Sequence, residues 1–349
     1  MRLLVTGGTG FIGRAFVEAI APQLDVLYLL VRPNSLSKAR EYFSHLPQIR
    51  FIEGDVFSAD ICHHAEDLQQ LVQEVTSIIH LAAKYDLEMS VYDAYTNNVI
   101  GAQNMLTLAR RLKKLEYFHH VSSYAINAYR NDLVLENDLS LKAPFNDHYS
   151  KSKMQSEYMF RTMDLGPVKK RIYRPGIVVG DQTSGLIEKV DGPYYFLRLL
   201  HKLKKTPLGH LPYLPLPYGP NTLFPIIPID WVVQALVQGV LSPEPNKALE
   251  CYHLLPERPI RLDEFVQITF NCFDLKFKLI RLKRLNQYKY ALGPLGLPKE
   301  LLFYMFSEAT YCVQNRKQDF PGLLEVDLKS LVPVLVEGSE RFFKQVELA

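Results

Sequence analysis

Cysteine is sparse in this chain of 349 residues, and the four present, Cys62, Cys251, Cys272 and Cys312, form no CxxC pair. That spacing excludes a thiolate metal site or a disulfide framework and suits free thiols in a reducing compartment. No window approaches the roughly 18 uninterrupted apolar residues of a membrane-spanning helix, so any bilayer contact is expected at the surface only. The opening Met1-Arg-Leu-Leu-Val-Thr6 runs straight into glycines. It leaves no room for the apolar region of a secretory signal, and a cytoplasmic protein is expected. A formal net charge of only +3 excludes wholesale attraction to nucleic acid. Internal repeats and low-complexity tracts are absent. The two adjacent histidine pairs, His63-His64 and His119-His120, are poorly spaced for one ion, because neighbouring strand side chains point opposite ways; no metal is expected.

What is present is the composition of a globular protein, 48% hydrophobic and 22% charged. Short apolar runs at Leu3–Thr6, Val26–Val31, Ile49–Ile52, Ile78–Leu81, Tyr117–Val121 and Arg171–Tyr173 read as strands. Between them, Phe11–Ile20 and Val91–Leu112 carry apolar residues three and four apart, the pattern of crossover helices. The alternation predicts an α/β fold, a Rossmann-type doubly wound parallel sheet. After Gly180 the prolines Pro207, Pro212, Pro215, Pro217 and Pro220 break the rhythm. Phe224–Asp230 with the helical Trp231–Leu241 reads as a return to the sheet, after which the chain leaves through Tyr252–Leu255 into two or three helices. The expected division is a nucleotide-binding domain of residues 1–180 with 224–245, and a smaller, mainly helical, discontinuous substrate region of 181–223 and 246–349.

The junction of the first strand and helix reads Thr6-Gly7-Gly8-Thr9-Gly10-Phe11-Ile12-Gly13-Arg14. Gly7 permits a tight turn, Gly10 lets backbone N–H groups approach a diphosphate, and Gly13 allows the helix to pack on the strand; the anion meets the helix's positive end. About 20 residues past the last glycine, where NAD-preferring proteins carry an acid, this chain has Arg32. Arginine there suits the 2′-phosphate of NADP(H), with Lys38 and Arg40 adding positive field; a solvated surface arginine is the other reading. Asp55, beside Val56, is placed to meet the adenine amine or to close a turn.

Tyr149 and Lys153 lie four apart, on one face of a helix. A phenol with a pKa of about 10 is a poor proton donor and acceptor at neutral pH, and a neighbouring ammonium brings it into range. Lys153 can also hold the nicotinamide ribose. Ser123, after the strand ending at Val121, is the candidate hydroxyl facing the cofactor and the reacting carbonyl.

The glycine loop, Leu81-Ala82-Ala83, Asn98-Val-Ile-Gly101, Ser122-Ser123 and Tyr149-Ser-Lys-Ser-Lys153 fall in the order and spacing of the extended short-chain dehydrogenases/reductases, which this chain resembles over about its first two thirds. Leu29-Leu-Val-Arg32, Glu53-Gly-Asp-Val56, His80-Leu-Ala-Ala83, Tyr173-Arg-Pro175-Gly176-Ile177-Val-Val-Gly180 and Pro225-Ile-Ile-Pro-Ile-Asp230 look like its fatty acyl reductase and thioester reductase branch. Members of that branch often carry threonine where this chain has Ser123, a change that keeps the hydrogen bond. The resemblance implies Tyr149 as general acid/base, Lys153 as the group that lowers its pKa and binds ribose, Ser123 on the substrate oxygen and Asn98 as support. The expected cofactor contacts are Gly7, Thr9, Gly10, Phe11, Ile12, Gly13, Arg32, Asp55, Val56, Leu81, Ala82, Ala83, Asn98, Tyr149, Lys153, Pro175, Gly176 and Ile177.

Gly192–Lys205 reads as a helix with an aromatic and leucine stripe and with Arg198, Lys202, Lys204 and Lys205 elsewhere. It suits a coenzyme A or carrier-protein thioester, or anionic lipid; a core-facing stripe with a solvated basic face is the alternative. Tyr288, Tyr290, Leu301, Leu302, Phe303 and Phe306 suggest a greasy cleft or lid, or ordinary core. The leading expectation is an NADPH-dependent reductase of an acyl thioester or related lipophilic carbonyl. A hydroxysteroid- or sugar-nucleotide-type dehydrogenase or epimerase, and a non-catalytic NADP-binding sensor or scaffold, are the competing readings. Helix pairs in such folds often make dimers, so a homodimer is among the expected partners.

Overall fold

The computed structural model describes residues 1–86, 88–142, 144–145, 147–242, 247–283 and 298–348. Its centre is a seven-stranded sheet built from β1 (Arg2–Thr6), β2 (Val26–Val31), β3 (Ile49–Glu53), β4 (Ser77–His80), β5 (Tyr117–Val121), β6 (Lys169–Pro175) and β7 (Leu249–Leu254). The spatial order is β7-β6-β5-β4-β1-β2-β3 and every pairing is parallel. Parallel strands covered on both faces have no solvent side, so β2 reads Val-Leu-Tyr-Leu-Leu-Val with all but its first residue buried. Alternation sorts the side chains: Leu3, Val5, Leu27 and Leu29 enter one core, Leu4, Tyr28 and Leu30 the other.

Helices α1 (Phe11–Ile20), α2 (Pro33–Tyr42), α3 (Ala65–Glu74), α4 (91–109) and α5 (His148–Thr162) supply the crossovers. The buried face of α1 is Gly13, Phe16, Val17 and Ile20, the three-and-four spacing of an amphipathic helix. That face shares a core with Trp231 and Val232 of α7 (Ile229–Leu241), which follows α6 (Tyr194–Leu203) in the chain. Helix α4 is continuous but contains one π-helical stretch at Tyr95–Ile100. Such a stretch shifts which side chains face inward, and it lies directly beside the central crevice.

Past Gly180 the path departs from the sequence reading in two pairings and in the number of helices after Leu255, which is four among the described residues, Leu262–Cys272, Leu301–Met305, Gln314–Asp319 and Leu328–Leu348, where two or three were expected. Ile226–Pro228 does not rejoin the main sheet; it pairs with Ile177–Val179 in a separate two-stranded parallel ladder. The switch occurs at Gly176, whose N–H bonds Leu254 while the next N–H, of Ile177, bonds Pro225. The second difference concerns Tyr252–Leu255, read as a departing segment: Leu249–Leu254 is instead the edge strand β7, paired residue for residue with β6. Hydrophobic periodicity marks a strand without saying which partner it takes, and both slots lay within chain reach. A second core joins α6 to α8 (Leu262–Cys272), α9 (Leu301–Met305) being nearby, and to α10 (Leu328–Leu348) through Leu197, Leu200, Phe265, Phe270, Val332 and Leu335. Among the described residues no helix is long and apolar enough to cross a membrane.

Candidate functional site

Strand order reverses between β1 and β4, and a crevice opens there at the carboxyl ends of the strands. Gly7 turns the chain with φ +75°, and a methyl at this position would come within 2.4 Å of the Ala82 nitrogen. Gly13 is equally constrained, since its methyl would meet the Gly7 carbonyl oxygen at 2.1 Å. Gly10 precedes α1 in an extended conformation, and the first-turn N–H groups of that helix point toward the crevice without an acidic side chain in the turn. Close-packed backbone at Gly7 and Gly13 and free first-turn amides suit this end to a ligand that accepts hydrogen bonds from N–H groups.

The crevice forms one cavity of about 920 Å³. Gly7, Thr9, Gly10, Phe11, Ile12 and Gly13 line one end, with Arg32, Asp55 and Val56 at its far rim. Leu81, Ala82 and Ala83 form the floor beyond β4, and Pro175, Gly176 and Ile177 close the opposite side. Arg32 is exposed at the N-cap of α2 and, among the described residues, has no ion-pair partner. Lys38 and Arg40 do not line the cavity; Arg40 lies over the Phe51 ring instead. One Asp55 carboxylate oxygen accepts the Phe57 N–H at 3.0 Å, so the residue closes a turn and faces the cavity as well.

Ser123, Tyr149 and Lys153 stand together on the middle of the wall. Helix α5 begins on Asp147, whose carboxylate accepts the Ser150 N–H at 2.6 Å, and this cap sets the first turn that carries Tyr149. Lys153, 4% exposed, donates from Nζ to the Val121 carbonyl at 2.7 Å. Desolvation lowers its pKa to about 8, opposed by the Glu157 carboxylate one turn further on. Burial would raise Glu157, but the Arg174 and Arg161 guanidiniums outweigh it and hold the acid at about 2. Arg174 and Glu157 meet at 2.6 Å with both side chains fully buried. The Tyr149 phenol is pushed up to about 12 by burial, the Ser123 hydroxyl pulling the other way. Thus desolvation outweighs any lowering by the ammonium, and the phenol holds its proton at neutral pH.

Asn98, expected among the cofactor contacts, does not line the cavity. It is 3% exposed within the π-helical stretch of α4. Its Oδ1 accepts the Lys84 N–H at 2.8 Å and its Nδ2 donates to Ser152 Oγ at 2.8 Å. Ser152 Oγ in turn donates to the Tyr149 carbonyl at 2.7 Å, so Asn98 ties α4 to the helix carrying the tyrosine. The neighbouring Asn97 is the one that lines the cavity, because the π-helical turn rotates the pair.

Beyond Tyr149 the cavity wall becomes apolar: Tyr194, Phe196, Leu216, Phe224, Phe265 and Met305. Leu301 lines it too, whereas Leu302 packs against Tyr195 and Leu199, and Phe303 against the Tyr124 cluster. Phe306 is half-buried outside the lining; Tyr288 and Tyr290 lie outside the described residues. The basic face of α6 is partly neutralised within the fold, as Lys204 pairs with Glu340 at 3.6 Å and Lys205 with Glu347 at 2.6 Å. Sequence reading missed Arg14, which lines the cavity and pairs with Glu188, and Tyr85, whose ring meets Tyr149 edge-on at 4.9 Å. Arg14 directly follows Gly13 of the glycine loop and was legible by position; Tyr85 carried no signal.

Residues 5–236 match the model of an NAD-binding family described as male sterility protein. The chain belongs to that family. It is an extended short-chain dehydrogenase/reductase of the fatty acyl-CoA reductase-like branch. The matched span contains the glycine cradle, Ser123, Tyr149 and Lys153, and a nicotinamide dinucleotide is the cofactor that the family and the cradle both indicate. Fatty acyl-CoA reductase 2 of Mus musculus is 31% identical over 141 residues, which is 35% of this chain and 27% of that protein. The alcohol-forming fatty acyl-CoA reductase of Simmondsia chinensis is 23% identical over 351 residues, covering 78% of this chain and 70% of the relative. The chain thus spans about a quarter of the length of the mouse relative, 27%. Among solved structures, the terminal R domain from the myxalamid PKS-NRPS biosynthetic pathway superposes with a TM-score of 0.79 at 22% identity, covering 98% of this chain and 91% of that one. At that identity the likeness concerns the fold.

Proposed function

We propose that this chain is an NADPH-dependent reductase of an acyl thioester or related lipophilic carbonyl. The observation that carries the reading is the continuity of the cavity, which runs from a backbone cradle for a diphosphate, past Tyr149, to an apolar wall fit for an alkyl chain. In this reading residues 1–180 with 224–245 hold the cofactor, and 181–223 with 246–349 hold the substrate, the edge strand Leu249–Leu254 excepted.

The dinucleotide supplies a hydride to the carbonyl carbon when bound. The first-turn amides of α1 receive its diphosphate, the exposed Arg32 guanidinium its 2′-phosphate, and Lys153 its nicotinamide ribose. As the carbonyl oxygen gains negative charge, Ser123 and Tyr149 donate hydrogen bonds to it, and Tyr149 gives up its proton. A phenol held protonated at neutral pH suits that donor role. With a thioester, the carbon–sulfur bond then breaks and the thiol leaves to give an aldehyde; with a ketone or aldehyde, the product is the alcohol. The apolar wall favours an acyl chain over a nucleotide sugar, whose diphosphate and hydroxyls would find few donors among Leu216, Phe224 and Phe265.

The deciding experiment follows NADPH oxidation with acyl-coenzyme A esters, acyl-carrier thioesters, aldehydes, sterols and nucleotide sugars. Consumption with acyl thioesters and aldehyde release support the reading. Turnover restricted to nucleotide sugars or sterols refutes the substrate class, and tight NADPH binding without turnover on any of them would leave a sensor.

A further inference from the structure

The C-terminal third of the chain lies outside the span that matches the family, yet it places one hydroxyl at the root of the catalytic helix. Tyr304, on α9, lines the cavity beside Tyr149 and Ser123. Its hydroxyl donates to Asp147 Oδ2 at 2.8 Å and stands 2.7 Å from Ser150 Oγ. Ser150 Oγ is itself 3.0 Å from the same carboxylate oxygen, while Asp147 Oδ1 takes the Ser150 N–H. Asp147 and Ser150 are 5% and 1% exposed, so water cannot replace these bonds readily. The cap of the helix that presents Tyr149 is therefore completed by a side chain more than 150 positions away, on the same short helix whose Leu301 and Met305 form part of the apolar wall.

We propose that Tyr304 is a positioning residue for Tyr149, fixing the first turn of α5 and quenching the Asp147 carboxylate that lies two residues before the reactive phenol. This inference rests on the reading of Tyr149 as the proton donor. The groups facing Tyr149 are Asp147 and Lys153 on its own helix, Ser123 and Tyr124 after β5, Tyr85 after β4 with Lys189 over its ring, and Tyr304 on α9. Of these Asp147 is the nearby anion in sequence and Lys153 the cation, so the balance at the phenol depends on how completely Asp147 is hydrogen-bonded. With the Tyr304 hydroxyl in place, two hydroxyls and an amide serve the carboxylate; without it, one hydroxyl and the amide remain.

The test compares the full-length protein with Tyr304→Phe, Asp147→Asn and the double variant, asparagine being a good helix cap in its own right. Tyr304→Phe is expected to lower kcat for carbonyl reduction about 10-fold and to move the rising limb of alcohol oxidation upward by about one pH unit, with the Kd for NADPH unchanged. Asp147→Asn in that background removes the unquenched charge and is expected to return the limb to its wild-type position, a rescue that a simple packing defect would not show. Wild-type turnover combined with an unmoved limb in Tyr304→Phe overturns the proposal. If wild-type protein reduces none of the carbonyls, the functional reading fails by itself and amide exchange decides this one. The Ser150 N–H is then expected to exchange about 10-fold faster in Tyr304→Phe while Met154 is unchanged, and equal exchange at Ser150 overturns it.

Discussion

A lysine kept in a dry site lowers the stability of the folded state whenever it is charged, and Lys153→Met measures by how much. The ammonium is 4% exposed, with the Val121 carbonyl as its hydrogen-bond acceptor. Desolvation takes its pKa from an ordinary 10.5 to about 8, the Glu157 carboxylate opposing. Between those values the unfolded chain binds more protons at this position than the folded one, so stability rises with pH through that window. Below pH 8 the full penalty applies, about 3 kcal/mol. Roughly 2 kcal/mol of it should be recovered between pH 8 and pH 10. Methionine has similar length and no charge, so the variant lacks this slope. Urea unfolding of both proteins at pH 7, 8, 9 and 10 reads it out: the wild type should gain about 2 kcal/mol relative to the variant from pH 8 to 10. Tyrosines and cysteines that titrate in the same range are common to both chains and cancel in the difference. A difference that is independent of pH would refute the claim that Lys153 is desolvated, and with it the account of how this site is tuned.

Arg32→Ala should weaken NADPH binding about 10- to 100-fold, the worth of a charge-assisted pair, and leave NADH binding unchanged in fluorescence titrations; an unchanged ratio of the two affinities removes the 2′-phosphate assignment. Gly13→Ala puts a methyl 2.1 Å from the Gly7 carbonyl oxygen, so the cradle must deform and both dinucleotides should lose binding by at least about 100-fold while far-UV dichroism stays close to wild type. Tyr149→Phe should reduce turnover by about 10²- to 10⁴-fold with NADPH affinity within about threefold of wild type, and undiminished turnover would overturn the proton-donor role.

The glycine loop, the six strands read from apolar runs and the pairing of Tyr149 with Lys153 were all legible because each is local. A strand, a loop and a helix adjacent in sequence fix one another's geometry, and a four-residue spacing fixes two side chains on one helix face. Arg32 was legible for the same reason, its place being set by the end of β2. Asn98 shows where locality ends. Its family position was visible, but the π-helical stretch that turns it onto Ser152 and hands the cavity to Asn97 follows from how α4 packs against α5.

Sequence alone determined that this chain is a doubly wound dinucleotide-binding protein with a tyrosine–lysine pair, since periodicity and short motifs encode contacts between near neighbours. Only the tertiary structure decided that Leu249–Leu254 closes the sheet, that Ile226–Pro228 pairs elsewhere, that burial lifts Tyr149 and lowers Lys153, and that Tyr304 reaches the cap of its helix. Those outcomes depend on which surfaces meet and how much water they exclude. Partner choice and desolvation are properties of the packed chain, and no local pattern carries them.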